Sequence, residues 1–512
     1  MDQVMEKMQL PALPSLPKRT YRVGAFAVLL LATITIFSWH TGWIEQQTIR
    51  VTRYRGPPVV VYDNAHKLHD ADEFWPHFTN VTRLPPMSIE QAKSTCNWAK
   101  DDDDVNFTFG EKSGWFLDLS WVTKTKKDRE IDPIRAKWQK KVMNGLVPYE
   151  KVADRFHGRG IVVVSGDGRS LKRLKVIFKQ LAKLGCTLPV EMHYFGHEMS
   201  NSVQDEVAAL WPVIFFNDLA STHNIKESAY NTNVGIHYQL KTAAMVNSRF
   251  EEPLLLDSDN VPLVNPETLY ESDVYKEYGS IFWPDIARTR PNNPIWPITN
   301  TQCRMNEYEQ ESGQVLVNKR KFFYHLQLAA WFIDAPDNTG QFKNYMLGDK
   351  DCFRFAWHAL KTKYGFPSKW LSSVGTLVGD TYCGHTFAQY HPDGYVAFMH
   401  GGLLKTLRKP VVRWHLEQSG GIYQAYKRSP YEEDHTKSTH VEIGWDNFDY
   451  MPNKPENLVP ASCVHFRDVE PRPLEEIAPG FQDTFREIGG YWMLDDDSVC
   501  EFLGGLCVDT GG

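Results

Sequence analysis

Two aspartates separated by one residue are the side chains of this sequence that most directly suggest chemistry. Asp257 and Asp259 follow the apolar run Leu254–Leu256 within EEPLLLDSDNVPL, residues 251–263. In an extended chain, residues i and i+2 lie on the same face about 6.5–7 Å apart, so both carboxylates can face one target. Carboxylate oxygens arranged in this way suit a hard divalent cation such as Mn²⁺ or Mg²⁺. By itself, however, Asp-Ser-Asp-Asn is also typical of a turn whose side chains bond their own backbone.

The elements that would position these aspartates follow an alternating order of strands and helices. Ile161–Val164 is a short β-branched run between glycines, which indicates a buried parallel strand. Residues 169–185 place apolar side chains at every third or fourth position with lysines opposite them, which predicts an amphipathic helix. Further strands are predicted within 188–196 and 211–219, with a helix around Val203–Leu210 between them.

The predicted order continues into the aspartates themselves. Residues 236–248 predict a helix, and Pro253–Leu256 is the strand that leads directly into Asp257. Such alternation is typical of a doubly wound α/β sheet, in which ligands bind beyond the carboxyl ends of the strands. The aspartates are therefore expected at the ligand-binding edge of the sheet.

The overall composition narrows the classes of ligand. The chain has 512 residues, of which 23% are charged, and a net charge of −7, which gives no basis for binding nucleic acid. It contains no GxxxxGK[ST] phosphate loop, and Gly166-Asp167-Gly168 lacks the third glycine of the dinucleotide fingerprint. The favoured ligand is therefore a nucleotide-diphosphate sugar held through a metal ion.

The N-terminal segment is predicted to cross a membrane. Residues 23–44 carry no charged side chain and would form about 33 Å of helix, enough for a hydrocarbon core of about 30 Å. Lys18, Arg19 and Arg22 precede this segment, whereas the first charge after it, Glu45, is acidic. The positive-inside rule therefore places the N-terminal tail in the cytoplasm and the body in the lumen. The alternative is a cleaved signal peptide, but the apolar stretch is long for one and lacks a clear cleavage site.

The remaining organisation is consistent with a luminal body. All eight cysteines follow the predicted anchor, and an even number permits disulfides whose pairing the spacing does not define. Two glycosylation sequons begin at Asn80 and Asn106. The predicted organisation is a cytoplasmic tail (1–22), a signal anchor (23–44), a stem and irregular N-terminal subdomain (45–154), a catalytic domain (155–410) and a C-terminal extension packing on it (411–512).

A longer stretch around the aspartates resembles a known family. LKTAAMVNSRFEEPLLLDSDNVPLVNPETLYES, residues 240–272, is similar to the fungal α-mannosyltransferases of glycosyltransferase family 71, which include the Golgi α-1,2- and α-1,3-mannosyltransferases of yeast. Together with further blocks in the same order, the resemblance covers roughly residues 155–405. These blocks are GRGIVVVSGDG (158–168), LPVEMHYFGHE (188–198), FWPDIAR (282–288), ESGQVLVNK (311–319), LGDKDCFRFAW (347–357) and QYHPDGYVAFMHGG (389–402).

The resemblance implies a fold, a reaction and a location. It implies a GT-A-type, Rossmann-like transferase domain, GDP-mannose as donor, a mannose-containing glycan as acceptor, and Mn²⁺, or Mg²⁺, as cofactor. The α configuration would be retained, with α-1,2 linkage favoured over α-1,3, and a covalent or a front-face mechanism stays open. The protein would be a type II Golgi membrane enzyme, and association with other Golgi glycosyltransferases is left open. The alternatives are a UDP-sugar-dependent transferase of the same fold and a non-catalytic carbohydrate-binding scaffold.

The resemblance also nominates residues for the metal. Asp259 is the first candidate for a direct ligand, and Asp257 would contact the ion through water or hold the ribose. His400 would complete the set through a neutral imidazole, although a lone histidine is more often structural.

Substrate contacts are nominated on the same basis. Asp285, Glu311, Asp349 and Asp351 would contact the acceptor hydroxyl or the donor sugar, with helix or turn capping as the alternative. The predicted catalytic residues are Asp257, Asp259, Asp285 and Asp349. The predicted substrate-binding residues are Lys241, Asn260, Glu311, Gly313, Gln314 and Asp351. Lys241 would meet a phosphate or flank a solvated helix, and the default for Trp283, Trp296 and Trp331 is core packing in preference to stacking on sugar rings.

Overall fold

The part of the chain that the structure, a computed structural model, describes begins at Lys67. The described residues are 67–96, 107–109, 126–166, 168–228, 237–333, 342, 345–346, 348–401, 407, 409–430, 440–444, 463–467 and 469–495. They all fall within one unit, Arg55–Gly512, whereas a second unit, Met1–Tyr54, contains none of them. The predicted membrane anchor, residues 23–44, therefore lies outside the described residues. Among the described residues, no helix has the length and apolar character needed to cross a bilayer.

The regular elements are numbered here in chain order. The strands are β1 (Phe107–Phe109), β2 (Arg159–Val164), β3 (Val190–Tyr194), β4 (Ile214–Asp218), β5 (Glu252–Leu256), β6 (Asn260–Pro262), β7 (Ser280–Pro284), β8 (Gln310–Val317), β9 (Ser372–Val378), β10 (Thr381–Tyr390), β11 (Val396–His400), β12 (Ala425–Arg428), β13 (Val441–Gly444), β14 (Cys463–Phe466) and β15 (Arg472–Pro473). The α-helices are α1 (Phe74–Thr82), α2 (Ile89–Lys93), α3 (Asp128–Gly145), α4 (Arg169–Lys183), α5 (Asn201–Ala208), α6 (His237–Asn247), α7 (Glu267–Glu271), α8 (Asp273–Tyr278), α9 (Ile295–Ile298), α10 (Lys319–Ile333), α11 (Lys350–Ala359), α12 (Lys409–Ser419) and α13 (Phe481–Glu487).

The first sheet ends at the predicted aspartates. Within the described residues it has six strands in the order β4-β3-β2-β5-β8-β7. Strands β4, β3, β2 and β5 are parallel, whereas β8 is antiparallel to both β5 and β7. Because β8 runs in reverse, its first residues lie at the same edge as the carboxyl ends of β5 and β7. This edge therefore collects the side chains that follow β5 and β7 together with those that begin β8.

Helices cover both faces of this sheet, because its strands alternate their side chains between two cores. Ile161 and Val163 pack in a cluster with Leu174 of α4 and with residues of α5. Val162, between them in sequence, packs in a second cluster with Ala244 of α6 and with residues of α10 and α11. The predictions of an α/β class and of a doubly wound sheet are confirmed.

A second sheet, which the sequence did not predict, supports the first. Its described strands follow the order β1-β13-β14-β10-β9-β12-β15, and β11 pairs with both β10 and β6. Strands β12 and β14 come from the predicted C-terminal extension and pair with β9 and β10 respectively. The β6–β11 pairing is important for the site, because only the three residues 257–259 separate β6 from the end of β5 in the chain.

The region predicted as a stem and irregular subdomain contains regular structure. Helix α3 buries Ile131, Ile134, Trp138 and Val142 in the same cluster as α6 and α10. These residues recur at three- and four-residue spacing, which forms one apolar face of a helix. The expectation of irregular structure therefore does not hold for residues 126–150, since this apolar face packs against α6 and α10.

Two disulfides join distant parts of the chain. Cys96 bonds Cys303, and Cys383 on β10 bonds Cys463 on β14. Among the described residues, Cys186 and Cys352 are buried free thiols. The sequence predicted that disulfides were possible, and only the folded structure defines the partners.

Candidate functional site

The chain turns immediately after β5, and the first residues of β8 hold this turn. The Asp257 backbone N–H donates to the Gly313 carbonyl oxygen at 2.8 Å, and the Asn260 N–H donates to the Asp257 carbonyl oxygen at 3.1 Å. The Asn260 side-chain amide also donates to the Gly313 carbonyl oxygen at 2.9 Å and to Gln314 Oε1. Residues 257–260 are therefore a turn, as their composition allows, and this turn presents the two aspartate side chains at the sheet edge.

His400 reaches the aspartates through the second sheet. In the β6–β11 pair, His400 lies opposite Asn260, and the Gly401 N–H donates to the Asp259 carbonyl oxygen at 2.9 Å. His400 Nε2 lies 3.4 Å from Asp259 Oδ1 and 3.9 Å from Asp257 Oδ2. One ligand atom from each of these three side chains lies within 4.8 Å of the others. The structure thus brings together the three residues that the sequence nominates for the metal.

Glu311 orients the imidazole from the opposite side. Its Oε2 lies 3.5 Å from His400 Nδ1, while its Oε1 accepts a hydrogen bond from the Gly313 N–H at 3.1 Å. Burial by itself favours a neutral imidazole, but the Glu311 and Asp259 carboxylates outweigh it and raise the pKa of His400 to about 10. A carboxylate behind a metal-ligating histidine is a common arrangement, because it fixes the ring orientation and raises the basicity of the ligand.

Lys241 on α6 bridges two of the predicted catalytic carboxylates. Its Nζ donates to Asp257 Oδ2 at 2.6 Å and lies 3.8 Å from Asp349 Oδ2. Asp349 Oδ2 also accepts a hydrogen bond from Ser312 Oγ at 2.7 Å. Burial raises the pKa of Asp257, and Lys241 opposes that shift. The alternative in which Lys241 flanks a solvated helix is therefore not supported. Asp349 lies at the N-cap position of α11, but its side chain makes no capping hydrogen bond.

Asp285 belongs to a neighbouring ion-pair group at the same edge. Lys350 pairs with Asp285 Oδ2 and with Glu309 Oε2, the latter at 3.1 Å. The Asp285 backbone N–H donates to the Glu309 carbonyl oxygen at 2.7 Å, so the group joins the residue after β7 to the residue before β8. Burial raises the pKa of Asp285, although Lys350 opposes the shift. Asp285 is thus held beside Glu309 by a lysine that sequence analysis did not nominate.

Three predicted substrate-binding residues lie in the interior. Asp351 is 2% exposed, and its Oδ1 accepts hydrogen bonds from the Gln310 N–H at 3.1 Å and from Arg354 Nε at 2.9 Å. Asn260 and Gln314 are fully buried. Direct substrate contact is not supported for these three residues, because their side chains bond the protein around β8 instead.

The three tryptophans considered for stacking on sugar rings are packed in the protein core instead. Trp283 and Trp296 are fully or almost fully buried, and Trp331 is 6% exposed. Trp283 packs edge-on against Phe398 at a ring distance of 5.7 Å, and its Nε1 donates to the Tyr390 carbonyl oxygen at 2.8 Å. Core packing is therefore confirmed.

Sequence reasoning missed three residues that support the site. Lys350 and Ser312 lie within the quoted blocks LGDKD and ESGQ, beside nominated acids. Arg173 on the amphipathic helix α4 donates from Nε to Ser258 Oγ at 3.2 Å and so anchors the turn between the aspartates. A lysine placed between two acids was an available signal for Lys350, whereas nothing local to α4 distinguishes Arg173 from its basic neighbours.

The donor set suits a hard divalent cation. Two carboxylates and one imidazole nitrogen converge, and the non-coordinating nitrogen of that imidazole faces a carboxylate. Oxygen-rich sets with a histidine are compatible with Mn²⁺ and Mg²⁺. The ammonium group of Lys241 balances part of the negative charge of the two carboxylates. The residues present therefore fit the predicted metal.

Comparisons with known proteins find similarity to mannosyltransferases. A family model described as "Mannosyltransferase putative" matches residues 158–296 and 292–391. The α-1,2-mannosyltransferase MNN2 of Candida albicans is 29% identical over 50% of this chain and 45% of its own length. MNN21 of Candida albicans is 26% identical over 57% of this chain and 50% of its own, and MNN2 of Saccharomyces cerevisiae is 24% identical over 39% of each. The chain thus spans about half the length, or less, of these curated relatives.

Two solved structures are distantly similar to part of the chain. The WbbM bifunctional glycosyltransferase is similar with a TM-score of 0.30 and 10% identity, over 41% of this chain and 38% of its own. The galactosyltransferase LgtC, in complex with donor and acceptor sugar analogs, has a TM-score of 0.29 and 15% identity, over 41% of this chain and 73% of its own. The sequence-based likeness to fungal α-mannosyltransferases is confirmed by the family model and the relatives.

Proposed function

We propose that this glycosyltransferase transfers α-mannose from GDP-mannose to mannose-containing glycans in a metal-dependent, retaining reaction on a GT-A-type domain. The observation that carries the proposal is the convergence of Asp257, Asp259 and His400 at the ligand-binding edge of the sheet. The α-1,2 linkage is favoured because the two relatives quoted first are α-1,2-mannosyltransferases.

Asp257, Asp259 and His400 would hold Mn²⁺, or Mg²⁺. A divalent cation bound here would stabilise the negative charge that develops on the diphosphate as the glycosyl–phosphate bond breaks. The protein contributes the placement of these groups. The turn after β5 aims the carboxylates, β11 delivers the imidazole, and Glu311 keeps Nδ1 of His400 directed away from the donor set.

The charged groups next to the metal site would contact the sugars. Lys241 and Asp349 lie on one side of Asp257, and the Asp285–Lys350–Glu309 group lies along β8 beyond Glu311. The ammonium groups of Lys241 and Lys350 are partly exposed and can donate to sugar hydroxyls. Asp349 and Asp285 are 3% and 6% exposed, and they remain the candidates for contact with the transferred mannose or with the acceptor hydroxyl because they pair with these two lysines at the sheet edge.

A Golgi lumen is the proposed location, with a single N-terminal anchor. Two disulfides in the folded body support an oxidising compartment, and the uncharged residues 23–44 support the anchor. Protease digestion of sealed vesicles should leave everything after residue 45 intact. Cleavage of the body in intact vesicles would contradict the orientation.

The direct test uses the purified full chain with GDP-mannose, Mn²⁺ and α-mannobiose. We expect one added hexose by mass spectrometry, loss of the product with EDTA, and no product from an Asp257→Ala/Asp259→Ala variant. Exposed Asp483 and Asp273 offer a matched double control, Asp483→Ala/Asp273→Ala, which should keep the activity. NMR of the product assigns the linkage.

Rival donors are included in the same experiment. UDP-galactose and UDP-glucose replace GDP-mannose, and thermal shift shows which nucleotide sugar stabilises the folded protein. Transfer from a UDP-sugar alone would replace the proposed donor. Glycan binding without turnover, unaffected by EDTA, would indicate a carbohydrate-binding scaffold and would contradict the proposed reaction.

A further inference from the structure

Gly313, near the start of β8, contacts Asp257, Glu311 and His400 around the proposed metal site. Its carbonyl oxygen accepts from the Asp257 N–H at 2.8 Å and from the Asn260 side chain at 2.9 Å. Its own N–H donates to Glu311 Oε1 at 3.1 Å, and its Cα faces the His400 ring. We infer that Gly313 is a positioning residue for the metal site and not a substrate contact, an inference that rests on the metal site of the proposed function.

The His400 ring occupies the space that a side chain at position 313 would need. A Cβ built on Gly313 would lie 2.6 Å from His400 Cε1, 2.7 Å from Nδ1 and 2.9 Å from Nε2. These are its three nearest heavy atoms, so the space that a side chain would need is occupied by the imidazole. Ordinary contacts of a Cβ begin at 3.4 Å, so an alanine would displace the ring by about 0.8 Å, the difference between 3.4 and 2.6 Å.

The backbone conformation does not by itself require glycine at this position. Gly313 lies within β8, where the pairing with β7 shifts register between Phe282 and Trp283, and it is not among the glycines with positive φ. An alanine could therefore adopt the same backbone geometry, unlike at the turn glycines of this chain. The requirement is steric, and it is directed at one neighbour, His400.

The displaced ring could not keep its present contacts. His400 is enclosed between Asp259 and Glu311 at 3.4 and 3.5 Å, and its strand is fixed by pairing with β6 opposite Asn260. Ligand distances in a working metal site vary by only about 0.2 Å. A shift of about 0.8 Å therefore removes His400 from the ligand set while Asp257 and Asp259 stay in place.

The experiment is a double-variant cycle on the full chain with Gly313→Ala, His400→Ala and the combined variant. The Tm measured in EDTA reports the steric conflict in the absence of metal. Electron paramagnetic resonance of Mn²⁺ measures the affinity of each variant for the ion. Gly145→Ala is the matched control, because its Cβ would meet only the flexible end of Lys141 at the terminus of α3.

We expect Gly313→Ala to weaken Mn²⁺ binding by about 10- to 100-fold, the range found when residues that orient a metal ligand are lost. It should also lower Tm, because overpacking a filled site is destabilising. In the His400→Ala background the space is vacant, so adding Gly313→Ala should change neither Tm nor the residual Mn²⁺ affinity. Gly145→Ala should bind Mn²⁺ like the wild type.

Three results would overturn the inference. Gly313→Ala could bind Mn²⁺ as the wild type does, or its effects on Tm and affinity could persist unchanged when His400 is alanine, which would mean that Gly313 does not act through the imidazole. Failure of the wild type itself to bind Mn²⁺ would remove the proposed metal site and this inference with it. That last result is distinguishable because it appears before any substitution is made.

Discussion

Replacement of Lys241 by methionine is the substitution that most directly tests how the site balances its charges. Lys241 Nζ lies 2.6 Å from Asp257 Oδ2 and 3.8 Å from Asp349 Oδ2. The Lys241 and Asp257 side chains are 17% and 18% exposed, which places the pair between a buried and a surface ion pair. Methionine keeps much of the aliphatic length of lysine and removes the charge, so two carboxylates lose their nearest cation.

The expected loss of stability follows from that intermediate burial. Breaking a buried ion pair by removing one partner costs about 3–5 kcal/mol, whereas an exposed pair contributes about 0–1 kcal/mol. We therefore expect Lys241→Met to lower the free energy of unfolding by about 2–3 kcal/mol in EDTA. Saturating Mn²⁺ should restore part of this loss, because a cation in the Asp257–Asp259–His400 site takes over the neutralisation of Asp257.

The assay is urea unfolding of wild type and variant, each in EDTA and in Mn²⁺. Lys276→Met is the matched control, since Lys276 pairs with Glu271 at 3.1 Å on the surface, with 55% and 59% of the side chains exposed. The control should lose less than about 1 kcal/mol and respond to Mn²⁺ as the wild type does. If Lys241→Met lost no more than the control, or gained no more from Mn²⁺ than the wild type, the reasoning about shared neutralisation of Asp257 would be refuted.

Three further predictions address the metal, the interior network and pH. Asp259→Asn should weaken Mn²⁺ binding in titration calorimetry by at least the 10- to 100-fold typical of an orienting residue, whereas the exposed Asp483→Asn should leave it unchanged. Arg354→Leu should lower the free energy of unfolding in urea by about 3–5 kcal/mol, because the buried Asp351 carboxylate, 2.8 Å from Arg354 Nη2, loses that guanidinium, whereas Glu307 keeps Arg304 at 3.6 Å; a loss below about 1 kcal/mol would contradict this. Burial lowers the pKa of His385 to about 4 from 6.5, so its contribution to stability is complete above pH 6.5 and is lost as the pH falls toward 4. Urea unfolding between pH 7 and 4.5 should therefore show a shallower pH dependence for His385→Gln than for the wild type, and equal slopes would count against this assignment.

Local patterns in the sequence predicted the parallel half of the first sheet well. Strands β2, β3, β4 and β5 and helices α4, α5 and α6 all occur where the apolar periodicity predicted them, within a few residues at each end. These predictions succeed because burial on one or both faces of an element imposes a period of 2 or 3.6 on its own residues. The second sheet has no comparable signal, since its strands are drawn from separated parts of the chain and include short segments such as β6 and β15.

The nominated site residues also divide into those that local sequence positions and those that contacts between distant segments position. Asp257 and Asp259 could be paired from sequence because their separation is set by the backbone between them. The nomination of His400 depended on the family resemblance, and its distance to Asp259 is decided by the pairing of β6 with β11. The substrate roles of Asn260 and Gln314 were nominated without knowledge of burial, and the structure places both inside the protein.

The sequence by itself determined the strand, the turn and the two carboxylates that end it, together with the likeness to fungal α-mannosyltransferases. Only the tertiary structure decided that Lys241 bridges Asp257 and Asp349, and that Gly313 leaves room for His400. The physical reason is the range of the interactions. Contacts between neighbours in sequence follow from backbone geometry, whereas contacts between distant segments depend on the register in which strands pair and on which side chains the packed core leaves room for.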